Sequence, residues 1–324
     1  MQALMYEAPE VMTLRDIKVP SVGPDDVLVR VAYSGICGSE LSGFLGRNSL
    51  RTPPLVFGHE LSGWIASVGD RAKSVGLEVG ARVTANPLIG CGHCRYCLAG
   101  RQHLCGERLL LGASLPGCNA EFVAVPASAI LPLPTTVSLR DAAMTEPAAC
   151  ALRAVEISGA SAVSSALVVG AGPIGLFILQ VLAQHGVAQR YVADLNPARR
   201  AMAEALGATA VGTESGSLAQ HVRQATRGEG VDVAFDAVGA IDTRRECLAA
   251  TGRGGGVLFV GLHSDETSLP INEVIRSEVS MSGVFGYTPK NFHTALDWLT
   301  LGRLGCVRGS WSRRSQTEGC GMSD

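Results

Sequence analysis

Four cysteines are spaced to hold a metal. Cys91-Gly-His-Cys94-Arg-Tyr-Cys97, followed by Cys105, reads C-x2-C-x2-C-x7-C. Two-residue gaps let one loop fold its thiolates onto a small ion, and the fourth cysteine closes a tetrahedral sulfur shell. Zinc suits such a shell, which leaves no position for a substrate, so the expected role is to pin a loop. An iron–sulfur cluster is the alternative. Paired disulfides have little support, because Met1-Gln-Ala-Leu-Met-Tyr-Glu-Ala-Pro has neither the basic nor the apolar region of a secretory signal.

A second set of donors is dispersed: Cys37 in Gly35-Ile-Cys-Gly-Ser39, His59 and Glu60 in Gly58-His-Glu-Leu-Ser-Gly63, and Glu146 before Pro147. Each falls at a strand end or in a loop, where side chains remote in sequence can converge. Mixed sulfur, nitrogen and oxygen donors suit a catalytic zinc that keeps one position for water or a substrate oxygen. Spacing alone also allows Cys37 and His59 to be packed core residues.

A third pattern is Gly170-Ala-Gly172-Pro173-Ile174-Gly175, which follows an apolar strand and opens an apolar helix. The first glycine allows a tight turn, the second admits a pyrophosphate close to the backbone, and the third lets helix and strand pack closely. The phosphates then face the N–H groups at the positive end of the helix. Asp194 ends the next strand and can accept hydrogen bonds from ribose hydroxyls while repelling a 2′-phosphate, so NAD is expected over NADP. Arg199 is the competing signal, since an arginine there can pair with a phosphate; it also reads as a solvated helix residue beside Arg200.

These groups need two kinds of scaffold. Up to about residue 150, short Val-rich runs (Asp26–Tyr33, Leu61–Val68, Ala81–Ala85) are separated by Gly and Pro and read as a mostly β region. Beyond Glu146-Pro147, strand-like segments at Ala166–Val169, Arg190–Ala193, Val231–Phe235 and Gly256–Val260 alternate with helical ones such as Pro197–Leu206. Alternating β and α implies a parallel sheet covered on both faces. The apolar stretch Ala166–Ala183 is long enough to cross a bilayer, but Gly170, Gly172, Pro173 and Gly175 break it into a buried strand, a turn and a buried helix. No membrane span is expected.

The 324 residues carry 27 Lys+Arg against 29 Asp+Glu, and 47% are hydrophobic against 17% charged. Such a chain can bury a large core, which excludes disorder. Its net charge of −2, with no basic run, gives no footprint for nucleic acid.

In this order and at this spacing, the Cys37 and His59 motifs, the four-cysteine loop and Val169-Gly-Ala-Gly-Pro-Ile-Gly175 resemble the zinc-dependent medium-chain dehydrogenase/reductase (alcohol dehydrogenase) superfamily. The resemblance covers about residues 1–303. The Glu146-Pro147 step is most similar to the polyol-dehydrogenase-like branch of sorbitol, galactitol-1-phosphate, butanediol and threonine dehydrogenases. It implies an α/β chain with a GroES-like β-rich catalytic domain over 1–150, to which 288–324 returns, and a Rossmann doubly wound NAD-binding domain over 151–287.

The resemblance also implies two Zn2+ per chain. Cys37, His59, Glu60 and Glu146 would serve a catalytic zinc, with Glu60 either a direct ligand or behind one, and Cys91, Cys94, Cys97 and Cys105 a structural zinc. Ser39 matches the Ser/Thr that takes the substrate hydroxyl proton into a relay. Val238, Val260, Gly261 and Leu262, at two further strand ends, would border the cofactor. The implied reaction is reversible oxidation of a small-molecule alcohol or polyol with NAD, in a cytoplasmic homodimer or homotetramer. An NADP-linked aldehyde or ketone reductase, or a catalytically impaired zinc- and cofactor-binding relic, are the alternatives.

The chain departs from the family pattern in three places. Ser42 stands where many members carry a relay histidine, and Cys118 where many have glycine. Glu40, Ser42, Phe44 and Arg47 either line the pocket or form a surface loop. Over 305–324 neither helical nor strand periodicity remains, which suggests a truncated or frameshifted tail.

Overall fold

A computed structural model describes residues 1–161, 164–212 and 216–305; the expectation for the tail lies, beyond Gly305, outside the described residues. The chain divides into two compact units, Met1–Glu146 with the described residues from Thr288 on, and Pro147–Tyr287.

The first unit is built on antiparallel sheets. A five-stranded sheet runs, in spatial order, Ile130–Pro132, Arg82–Ala85, Glu60–Val68, Asp26–Gly35 and Phe122–Pro126. Val27, Val29 and Val31 alternate along their strand and are buried with Leu61, Ile65, Val83, Val123 and Val125 in one core. That period of two is why the run extends rather than coils. A smaller sheet joins Val11–Asp16, Gln2–Ala8 and Leu55–Val56.

Register is what matters for the site. Asp26–Gly35 pairs with Glu60–Val68 so that Ser34 faces Leu61 and Gly35 faces Glu60. The segment leaving the first strand, with Cys37, therefore starts beside the segment entering the second, with His59. The four-cysteine loop is clamped separately, at its base, by the pair Leu88–Ile89 and Leu109–Leu110.

The second unit is a six-stranded parallel sheet. In chain order its strands are Ser165–Val169, Gln189–Ala193, Thr209–Ala210, Val231–Asp236, Thr251–Phe259 and Ser280–Gly283, and in space they run third, second, first, fourth, fifth, sixth. This order belongs to doubly wound dinucleotide-binding folds, whose ligands sit at the carboxyl edge where the order reverses. The fifth strand starts at Thr251, five residues before the sequence expectation: Thr251 pairs with Val231, the register shifts across residues 252–255, and regular pairing resumes with Gly256 opposite Val233. The apolar stretch splits into the strand Ser165–Val169 and the helix Pro173–Gln184, and among the described residues no helix is long and apolar enough to cross a membrane.

Candidate active site and metal centres

Cys37, His59 and Glu60 converge, each offering a ligand atom within 4.8 Å of the other two. Cys37 is the N-cap of a seven-residue helix, Gly38–Phe44, and His59 and Glu60 are 4% and 2% exposed. Gly58 lets the chain turn into the site: its φ is +108°, and a Cβ there would stand 2.5 Å from the Asn119 nitrogen. Only glycine satisfies both demands.

The electrostatics identify what this cluster can hold. Glu60 Oε2 is buried without a hydrogen-bond partner. Burial pushes the Glu60 carboxyl well above the usual range, and the charges of Cys37, Glu146 and Glu40 add to it against an opposing contribution from His59. Burial pulls His59 down, but the neighbouring Cys37 and Glu40 charges overcome this and hold it well above its ordinary value. Anionic donors gathered in a low-dielectric pocket, with Oε2 of both Glu60 and Glu40 unpaired, fit a divalent cation. One thiolate, one imidazole and one carboxylate are a donor set for zinc with an open position.

Glu146 lies in the first turn of the helix Thr145–Ser158, half-buried, and stands outside the three-residue group. It remains close enough for its charge to act on Glu60. Ser39 Oγ donates to Cys37 Sγ at 3.2 Å.

Glu40 is where the sequence reading falls short. Residues 38–44 are helix rather than loop, and Glu40 is 2% exposed. Its Oε1 lies 2.8 Å from His59 Nδ1 and accepts from the Gly58 N–H at 2.9 Å. An acidic residue three positions after a candidate ligand, on the same helical face, was the available signal. Phe44 packs against the Tyr6, Leu55 and Phe57 cluster, Ser42 is half-buried, and Arg47 is exposed.

The second cluster matches its spacing. The thiols of Cys91, Cys94, Cys97 and Cys105 lie within 4.8 Å of one another, and all four are free in this structure. Backbone N–H groups of Cys97 and Cys91 approach the sulfurs of Cys94 and Cys105, each at 3.5 Å. Cys118 is fully buried beside Ser34, and burial pushes its thiol up to about 12.

In the parallel unit the three glycines divide their work. Gly170 has a φ of +96°, and a Cβ there would meet Val238 Cγ2 at 2.7 Å. A Cβ on Gly175 would lie 1.8 Å from the Gly170 oxygen, so helix and strand touch only because it is absent. A Cβ on Gly172 meets nothing within 4 Å, leaving open space at the N-terminus of Pro173–Gln184, which has no side-chain cap. Pro173 opens that helix; Pro173 and Ile174 are both half-buried. An anion fits there.

Asp194 Oδ2 accepts from the Ala171 N–H and Oδ1 from the Asn196 N–H, both at 2.8 Å. Arg199 Nη1 stands 3.9 Å from Asp194 Oδ2, with its side chain half exposed. Asp236 gathers the remaining strand ends. Its Oδ1 accepts from Val238 and Gly239, and its carbonyl from Val260 and Gly261. Val238 and Leu262 are both exposed.

Comparison with known proteins agrees with this architecture. Residues 23–135 match the alcohol dehydrogenase GroES-like domain, and residues 173–300 match the zinc-binding dehydrogenase model. The chain is 34% identical over 291 residues to an L-threonine 3-dehydrogenase of Rhizobium johnstonii, covering 88% of this chain and 84% of that protein. It is 33% identical over 311 residues to a D-arabitol-phosphate dehydrogenase of Enterococcus avium, covering 94% and 88%. Among solved structures, a so-named zinc-binding dehydrogenase from Sinorhizobium meliloti 1021, bound to NADP, superposes with a TM-score of 0.87 at 30% identity, covering 95% and 90%. The chain belongs to the zinc-dependent medium-chain dehydrogenase/reductase family of alcohol dehydrogenases, with a GroES-like domain and a Rossmann domain.

Proposed function

We propose that this chain oxidises the CH–OH group of a secondary alcohol or polyol with NAD, reversibly, at a catalytic zinc site formed by Cys37, His59, Glu60 and Glu146. The observation that carries the reading is the convergence of Cys37, His59 and Glu60 around an unpaired buried carboxylate oxygen. Relatives named for threonine and arabitol-phosphate oxidation support the substrate class.

When bound, zinc supplies a Lewis acid that favours the alkoxide form of the substrate, and NAD supplies the hydride acceptor. The chain's own residues do the rest. Glu40 fixes the His59 ring through Nδ1, leaving Nε2 for the metal. Ser39, hydrogen-bonded at Cys37, would be the hydroxyl that meets the substrate oxygen. Gly170, Gly172 and Gly175 cradle the pyrophosphate, Asp194 takes the ribose hydroxyls, and Val238, Val260, Gly261 and Leu262 border the cofactor. Cys91, Cys94, Cys97 and Cys105 hold a structural zinc and take no part in the chemistry. We place the enzyme in the cytoplasm as a homodimer or homotetramer.

One observation favours a second reading, an NADP-linked aldehyde or ketone reductase: Arg199 stands beside Asp194, where it can meet a 2′-phosphate. A panel of diols, sugar alcohols, sugar-alcohol phosphates and 3-hydroxy amino acids, run with NAD and with NADP, tests both. Reduced-cofactor absorbance with NAD and a polyol supports the main reading. A higher kcat/KM with NADP supports the second, and no turnover with a full metal complement leaves the impaired relic.

A further inference from the structure

Arg51 has no part in the reading above, yet it is built into the site. It is 4% exposed, and its Nη2 donates to Ser39 Oγ at 3.0 Å. Its guanidinium lies 5.7 Å from the centre of the Phe57 ring. The helix Gly38–Phe44 makes room for its stem: a Cβ on Gly43 would stand 2.4 Å from Arg51 Cδ. Burying a guanidinium is costly unless neighbouring charges and donors compensate; burial lowers Arg51 from its ordinary value against the opposing charges of Glu40 and Cys37, and its Nε has no hydrogen-bond partner. Ser42, meanwhile, occupies the position where a histidine partner for the Ser39 hydroxyl was expected.

Guanidinium has donors and no acceptor. Arg51 can therefore only fill a lone pair of Ser39 Oγ, and the hydroxyl hydrogen must point elsewhere. It points at Cys37 Sγ, one of the donors proposed for the catalytic zinc. We propose that Arg51 is a positioning residue: it holds Ser39 as a hydrogen-bond donor toward the substrate oxygen and closes Ser39 as a route for proton exit. This rests on the dehydrogenase reading. In the oxidation direction the C–H bond breaks with its electron pair going to NAD, the hydroxyl proton goes to water, and Ser39 keeps its own hydrogen. Arg51 thus takes the place of a relay partner without relaying.

The test is a double-mutant cycle on the holoenzyme with Ser39→Ala, Arg51→Met and the pair, plus Arg51→Lys as the conservative variant. Two quantities are read: kcat for the best alcohol of the panel, and binding of acetamide, a carbonyl ligand that is not reduced, to the enzyme–NADH complex by fluorescence. Arg51→Met is expected to lower kcat roughly a hundredfold, as misplacement of a group at the reacting centre does, and to weaken acetamide binding. Zinc content and NADH affinity should stay at wild-type values. Arg51→Lys should recover part of both losses, and the double variant should be no worse than Ser39→Ala alone.

Multiplying effects in the double variant, or wild-type kcat and acetamide affinity in Arg51→Met, overturn the proposal. Loss of bound zinc or of cooperative unfolding in both Arg51 variants assigns the residue to the scaffold and also overturns it. If no alcohol is oxidised by the wild type, the functional reading fails, while the acetamide cycle still decides the role of Arg51.

Discussion

His59 Nδ1 lies 2.8 Å from Glu40 Oε1, and the same oxygen accepts from the Gly58 N–H. One buried carboxylate thereby fixes both the ring and the backbone turn that delivers it. Removing it in Glu40→Ala frees the imidazole to rotate, and metal affinity at the Cys37 cluster should fall roughly 10–100-fold. Chelator competition measures this, and Glu40→Gln, which keeps an acceptor oxygen, should lose less.

The four-cysteine centre should act on stability rather than on the chemistry. Cys94→Ser is expected to reduce zinc from two ions per chain to one and to lower Tm by about 5 °C or more, given that about 1 kcal/mol moves a domain of this size by a few degrees. Calorimetry with metal analysis checks both. At temperatures well below the new Tm, turnover per remaining zinc should be unchanged.

Gly172 and Gly175 should respond in opposite ways to the same methyl group. A Cβ on Gly172 meets open space, so Gly172→Ala should keep the wild-type Tm and weaken NADH binding by roughly tenfold, about 1.4 kcal/mol. A Cβ on Gly175 collides with the Gly170 oxygen at 1.8 Å, so Gly175→Ala should cost about 1–3 kcal/mol of stability. Thermal unfolding and fluorescence titration separate the two.

Cofactor choice should turn on Asp194. Its charge favours hydroxyls over a 2′-phosphate, so Asp194→Ser should lower kcat/KM with NAD and raise it with NADP. Arg199→Ala should weaken NADP use and leave NAD use intact. Paired kinetics with the two cofactors give the answer.

Local patterns were readable from sequence, and non-local ones only through motifs. The cysteine loop and the glycine turn are each contained in a few consecutive residues, so their geometry follows from spacing. The meeting of Cys37 with His59 depends on the register that sets Gly35 opposite Glu60, which no local pattern encodes. Spacing alone favoured a packed core residue, and only the combination of motifs pointed to a site. Glu40 was hidden by the shortness of its helix, and the Thr251 strand start by a glycine-rich stretch across which the register shifts before pairing on both sides begins at Gly256. Arg51 carried no signal at all, since its burial is set by Gly43, Phe57 and Ser39 together.

The most direct measurement is turnover against metal content. The protein is dialysed against a chelator, zinc is quantified, and polyol oxidation with NAD is followed as zinc is returned. Two zinc ions per chain are expected in the untreated protein, with activity lost in proportion to removal of the ion at Cys37, His59 and Glu60 and restored when it is replaced. A metal-stripped sample that turns over as fast as the untreated one would contradict this.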